Sequence, residues 1–353
     1  MKPRLFIGFG TEVVVQAMLP LCRAVLERTK GEWPDEVFVL MADSDRRAQN
    51  RFRETELPSD RVAYLQLSLQ QVRKAIPKGK REFKDVWRKE LEGLVKDAPD
   101  NGACMVPALG RLLTRAARPA VVRQLRTLAR HWASLEVATP DVFFVLNPLS
   151  GTSRGSISDL PAWVRAVWPE ALLTALVVYP VDLDRLDPRT ASIYQANFIE
   201  ALRTLEYMAA EREVDVYIEP KTGWEKMTAT LIDNVLVFDA IYGNERLEDL
   251  DGAEQRLEEG LSGLFNQVVS LLAGIATRDE LADWLLGRLS DVTMHRSGAQ
   301  VASRFSSCHA LHETHLVFDG DAFRRALVER AVQRVLGPLR RRTEAVATDL
   351  FSS

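Results

Sequence analysis

The stretch Leu5-Phe6-Ile7-Gly8-Phe9-Gly10-Thr11-Glu12 decides the fold. Three apolar residues run into a glycine turn, and helical periodicity follows through Val13, Val14, Met18, Leu21 and Val25. A second apolar run, Val37-Phe38-Val39-Leu40-Met41, ends in Ala42-Asp43-Ser44-Asp45. Strand, glycine turn, helix, strand and acid make a βαβ unit laid out like a nucleotide site. Pro20 predicts a kink or a boundary near the middle of the helix.

Working outward, Val142-Phe143-Phe144-Val145-Leu146 shows no polar alternation and reads as a central strand covered on both faces. It feeds Asn147-Pro148-Leu149-Ser150-Gly151-Thr152-Ser153-Arg154-Gly155-Ser156, and a helix with Ile157, Leu160, Trp163 and Val164 follows. Residues 172–181 form another continuous apolar run, and residues 62–67 one more strand candidate. Helical patterns cover 107–133, 190–210 and 252–272, while strands at 214–218 and 235–238 extend the alternation. The fold class expected is α/β: a doubly wound parallel sheet, then a central helix and a small α+β second domain. The boundaries expected are 1–251 for the nucleotide-binding domain, 252–275 for the central helix and 276–353 for a reduced second domain.

Composition narrows the function classes. The 353 residues carry 46 Lys plus Arg against 49 Asp plus Glu, a formal net charge of −3. There is no global basic field of the kind that drives nucleic-acid binding. Cys22, Cys104 and Cys308 are scattered and odd in number, which argues against a disulfide framework and for a reducing, cytoplasmic setting. No export signal is evident at Met1-Lys2-Pro3-Arg4, and no apolar run approaches the ~20 residues of a membrane helix.

The two glycine loops share one physical rationale. Glycine lets the backbone approach phosphate oxygens and turn its N–H groups into a concave anion site. Two such loops after adjacent parallel strands converge at the carboxyl edge of the sheet, where ligands of open α/β sheets bind. The bland alternative is a pair of tight strand-to-helix turns with no ligand. Ser150, Ser153 and Arg154 carry side chains into the second loop that either crowd such a ligand or bind it, Arg154 as a bidentate clamp.

On these parts and their order, residues 4 to about 275 resemble the tubulin and FtsZ superfamily, in particular its divergent bacterial tubulin-like members. Gly8-Phe9-Gly10-Thr11-Glu12 is similar to the family's first phosphate loop, and Asp43-Ser44-Asp45 to its acidic second loop. Asn101-Gly102-Ala103-Cys104 sits where the family has Gly-Ala-Gly. Ser150-Gly151-Thr152-Ser153-Arg154-Gly155 occupies the place of the signature Gly-Gly-Thr-Gly-Ser-Gly. The helix through Tyr194-Gln195-Ala196-Asn197 is similar to the one whose asparagine binds guanine.

The resemblance implies GTP or GDP as ligand, with Mg²⁺, and head-to-tail self-association into a homo-oligomer or filament. The nucleotide contacts it implies are Gly8, Phe9, Gly10, Thr11, Asp43, Asp45, Gly102, Ala103, Cys104, Ser150, Gly151, Thr152, Ser153, Arg154 and Gly155. It adds Asp182 and Asp184 at the ribose, Asn197 at the base and Tyr242 stacked on it. Plain readings stand beside these: an exposed helix residue for Asn197, turn acids for Asp182 and Asp184, a core or turn residue for Tyr242. In the family an acid after the central helix reaches the next subunit's nucleotide, and Asp279 has that spacing. A helix start, with Thr277 as N-cap and Glu280 three residues on, explains the same stretch.

Two rival functions remain on sequence grounds. One is a degenerate tubulin-like structural or adaptor subunit without hydrolysis, serving a protein partner. The other is a dinucleotide-binding oxidoreductase, whose third glycine is missing because position 13 is Val13. Cys308-His309-x-x-His312-x-x-His315 contains zinc-ligating residue types, but on a strand this spacing splits them between two faces, and a polar strand accounts for it. The terminal Arg340-Arg341-Arg342 suits the C-terminal end of a solvated helix.

Overall fold

The structure, a computed structural model, describes residues 2–75, 83–97, 103, 106–135, 139–179, 188–210, 212–219, 223–239, 253–286 and 308–311. The strands are β1 (Arg4–Phe9), β2 (Val37–Asp43), β3 (Val62–Gln66), β4 (Asp141–Leu146), β5 (Leu172–Tyr179), β6 (Arg212–Glu219), β7 (Gly223–Ala229), β8 (Asn234–Asp239) and β9 (Cys308–Leu311). The helices are α1 (Leu19–Arg28), α2 (Arg46–Arg53), α3 (Leu69–Ala75), α4 (Leu91–Asp97), α5 (Pro107–Ser134), α6 (Gly151–Ser156), α7 (Leu160–Val167), α8 (Pro188–Ala209) and α9 (Ala253–Thr277).

Seven strands form one sheet in the order β3-β2-β1-β4-β5-β8-β9, and every neighbouring pair is parallel. The register sets Phe6 beside Val39 and Phe143, and the two phenyl rings stack at 5.4 Å. Because side chains alternate across a strand, Leu5, Ile7 and Phe9 face the core under α5 and α7, while Phe6 faces α1 and α9. Both faces are covered, which explains the unbroken apolar runs of β1, β2 and β4.

The order of strands reverses at β1. The chain leaves β1 for β2 on one side and leaves β4 for β5 on the other, so β1 and β4, paired in the middle of the sheet, flank a switch point. Ligands of open α/β sheets bind in the crevice outside the carboxyl ends of the strands at such a point.

Two details depart from expectation and one meets it. Residues 214–218 do not extend the parallel sheet: β6 pairs antiparallel with β7, a strand the sequence pattern did not disclose, in a separate two-stranded sheet. Tyr217 and Trp224 pack across this hairpin with ring centroids 5.6 Å apart, so cross-strand aromatic packing joins two strands whose outer faces are polar. The boundary expected near Pro20 is present. Val13–Met18 winds as a π-turn, in which the N–H of Leu19 reaches back five residues to the carbonyl of Val14, and Pro20 falls in the first turn of α1, where proline is tolerated. Finally, β9 lies in the stretch assigned to a second domain, yet it adds to the main sheet beside β8. His312 and His315 lie outside the described residues.

Candidate functional site

The loop after β1 is shaped by two glycines with different duties. A Cβ at Gly8 would stand 2.5 Å from Met18 Cγ and 2.7 Å from Val13 Cγ1, so this position is glycine to let the π-turn pack down on the strand. Gly10 has φ +103°, a conformation that L side chains rarely adopt, and its N–H donates to Ala42 O at 2.9 Å. A Cβ there would meet Ser150 Oγ at 2.7 Å and Ser153 Cβ at 3.4 Å. The two loops expected to converge therefore touch, and the serines that replace glycines are the residues that touch.

The second loop is largely bonded to itself. Ser150 caps α6, with its Oγ accepting from Ser153 N, and Ser150 O accepts from Arg154 N. Ser153, fully buried, turns its hydroxyl to accept from Asn147 N at 3.0 Å, and Asn147 Oδ1 accepts from Leu149 N at 3.0 Å. Gly155 faces away from the loop crevice: a Cβ there would lie 2.3 Å from Arg111 N and 2.4 Å from Pro107 O, so α5 crosses α6 backbone to backbone. Gly110 serves the same crossing, its Cβ position being 1.9 Å from Gly151 O.

The acids of the second strand are committed to neighbours. Asp43 is buried, and its Oδ2 accepts from Thr11 Oγ at 2.5 Å. Burial pushes its pKa up to about 6, against the hydrogen bonds from Thr11 and from the N–H groups of Ser44 and Asp45, and with the Asp45 charge adding to the rise. Asp45 is the N-cap of α2, accepting from Arg47 N at 2.8 Å and pairing with the Arg47 guanidinium. Phe9 belongs to the core, as does Ala103, which is buried.

Helix α8 faces these loops. Glu200 acts electrostatically on Arg154, and Glu12 on Tyr194, whose pKa rises through burial and then through that charge. Asn197, half-buried, falls three residues from each of Tyr194 and Glu200 and so shares their helix face. The i, i+3, i+6 spacing of Tyr194, Asn197 and Glu200 was the available signal for the two flanking residues. Gly102, Cys104, Asp182, Asp184 and Tyr242 lie outside the described residues.

Asp279 lies at the opposite, amino edge of the sheet. It pairs with Arg4, the first residue of β1, which is fully buried and also donates to Ile275 O. Thr277 is not an N-cap: its hydroxyl donates back to Ala273 O at 2.7 Å and closes α9.

Sequence patterns did not single out a third cluster. Arg111 and Arg115 of α5 both bond Asp159 and Asp85, Arg115 packs on the Trp224 ring at 5.2 Å, and Arg118 packs on Tyr217 at 4.7 Å. Burial pushes the Asp159 carboxyl up, but the hydrogen bonds and charges of Arg115 and Arg111 outweigh it and hold the pKa below the usual range. A polar cavity of about 280 Å³ lies beside this network, under the β6–β7 hairpin. Arginines at i, i+4 and i+7 on one helix were the signal for it.

The crevice at the switch point suits an anion. Among the described residues the N–H groups of Gly151 and Thr152, first in α6, take no protein acceptor, and Arg154 Nε is buried with no hydrogen-bond partner. Among the described residues no three His, Cys, Asp or Glu side chains are grouped to hold a metal. No described helix is long and apolar enough to cross a membrane.

A parallel sheet covered on both faces, with its strand order reversing at β1 and α9 packed across one face, defines an α/β fold of the open-sheet class. The chain belongs to the Tubulin_2 family, described as tubulin like, whose sequence model matches residues 5–242. Solved structures similar in fold include a point mutant of FtsZ from M. jannaschii, with 13% identity, TM-score 0.42, and 78% of this chain and 58% of that one covered. An empty FtsZ dimer from M. jannaschii has 14% identity, TM-score 0.41 and coverages of 79% and 56%. TubZ of Clostridium botulinum phage c-st, truncated at its C-terminal tail, has 10% identity, TM-score 0.38 and coverages of 79% and 64%. The chain thus spans less than two thirds of the length of these structures. No curated protein matches it.

Proposed function

We propose that the chain binds a guanine nucleotide in the crevice between the β1 and β4 loops and associates head to tail with further copies of itself. The observation that carries this reading is the contact of Gly10 with Ser150 and Ser153 at the switch point, with Asn197 on the α8 face above. Gly10 and Thr11 line one wall for the phosphates; Gly151, Thr152 and Arg154 line the other. Asn197 offers an amide donor and acceptor to a purine edge. A bound GTP would supply a phosphoanhydride bond, and the chain's own part is to orient and neutralise it. Asp279, at the other end of the same sheet, is the acid a head-to-tail neighbour would present.

A second reading, a tubulin-like structural subunit without hydrolysis, draws on one observation: the Asp279 carboxylate is engaged by Arg4 rather than held open. Titration of the purified protein with GTP, ATP and NAD, followed by phosphate release and light scattering, separates the readings. GTP preference with scattering and turnover supports hydrolysis in an assembly. GTP binding with scattering and no turnover supports the second reading. Preference for NAD or absence of nucleotide binding would sink the nucleotide reading proposed above.

A further inference from the structure

We propose that Arg154 is the fixed positive charge that meets the phosphates, so that this site holds its nucleotide without needing a divalent cation. The inference rests on the guanine-nucleotide reading and adds to it the source of the neutralising charge.

Arg154 follows directly on the serines that touch Gly10, and its side chain is half-buried, within electrostatic reach of Arg111 on α5 and Glu200 on α8. Among the described residues it makes no ion pair, and its Nε is buried without a hydrogen-bond partner. Burial first, then the attraction of Glu200 and the repulsion of Arg111, leave its pKa below the ordinary arginine value. A guanidinium held partly out of water with a donor unsatisfied is poorly stabilised until an anion arrives. A phosphate oxygen satisfies both needs at once, because arginine offers planar paired donors that match it.

The acids at the same edge point the same way. Mg²⁺ at phosphate sites is held by one or two carboxylates together with phosphate oxygens and water. Asp43 is turned inside and bonded to Thr11, Ser44 and Asp45, while Asp45 caps α2 and pairs with Arg47. Glu12, the remaining described acid of the first loop, makes no hydrogen bond or ion pair among the described residues and lies within electrostatic reach of Tyr194 and Arg47. With Asp43 and Asp45 engaged, one lone carboxylate makes a weak cation site, whereas the guanidinium is already in place.

The experiment is equilibrium binding of mant-GTP, followed by fluorescence anisotropy, in excess Mg²⁺ and in excess EDTA. The full chain and its Arg154→Gln and Arg154→Lys variants are compared, with guanosine as a phosphate-free competitor. The wild type is expected to bind equally in both conditions. Arg154→Gln should weaken mant-GTP by about tenfold or more, as loss of a charge-assisted hydrogen bond does, while leaving guanosine competition unchanged. Arg154→Lys, keeping the charge but not the fork, should fall between. Binding in Mg²⁺ that vanishes in EDTA overturns the inference and leaves the nucleotide reading standing; absence of binding in both conditions overturns that reading and the inference with it. The wild-type EDTA comparison decides even if a variant fails to fold.

Discussion

Arg4 and Asp279, at opposite ends of the described sequence, form an ion pair at the amino edge of the sheet. Arg4 is fully buried on the central strand, and Asp279 opens the helical stretch 279–286 that follows α9. Asp279→Ala removes the carboxylate but leaves Arg4 its bond to Ile275 O, so a loss of about 1–3 kcal/mol is expected. Urea unfolding of the nucleotide-free protein measures it. An acid with no structural duty would leave the midpoint unchanged.

The crossing of α5 over α6 makes two glycines irreplaceable. An alanine at Gly110 or Gly155 would drive its Cβ into backbone atoms of the other helix, which cannot swing aside as a flexible side chain does. Each substitution should cost about 3 kcal/mol or more, read as a lowered unfolding midpoint or loss of soluble protein. Gly93 in α4 has open space around its Cβ position, and Gly93→Ala should instead stabilise by about 0.5–1 kcal/mol.

Asp43 gives the stability a pH dependence of definite sign. Its folded pKa of about 6 lies above the unfolded carboxylate value, so the folded protein holds this proton more tightly. The contribution favours folding at low pH and is lost as pH rises from about 4 through about 6, a total of roughly 3 kcal/mol. Asp43→Asn, which keeps an acceptor for Thr11, should flatten that part of the profile and raise stability at pH 7. A steeper profile in the variant would contradict the assignment.

Asp159 titrates in the opposite sense. Arg111 and Arg115 hold its folded pKa below the unfolded value, so its contribution is present above about pH 4 and is lost as pH falls through the folded value. Asp159→Ala strips the buried Arg115 fork and the half-buried Arg111 fork of one shared partner and should cost about 3–5 kcal/mol. Because Arg115 and Arg118 also pack on Trp224 and Tyr217, the β6–β7 hairpin should loosen with it, visible as faster amide exchange in 212–229.

The parts legible in the sequence were those set by patterns along the chain. Unbroken apolar runs announced β1, β2, β4 and β5, and Gly10 announced the turn because a positive φ leaves few alternatives to glycine. Contacts that depend on the other side of the molecule were not legible. Nothing near Asp279 signals that Arg4 waits for it, and nothing near Gly155 reveals that a backbone passes 2.3 Å from its Cβ position. The β6–β7 ribbon escaped for a related reason: β7, Gly223–Ala229, has no apolar run, and what holds it is Trp224 against Arg115 and Tyr217. At the site, the sequence led to the two loops but left the duties of Ser150 and Ser153 open; their hydroxyls turned out to bond the loop itself.

The helix crossing also bears on how such chains diverge. Gly155, the most recognisable survivor of the signature, is required by the passage of α5 across α6 whether or not anything occupies the crevice. A descendant that had ceased to bind its ligand would still be selected to keep it, as it would Ser150 and Ser153 for their bonds within the loop, while Arg154 was free to drift. The letters that make a phosphate loop easiest to spot are therefore a poor clock for its use, and the record of ligand loss or retention is written in the residues between the glycines.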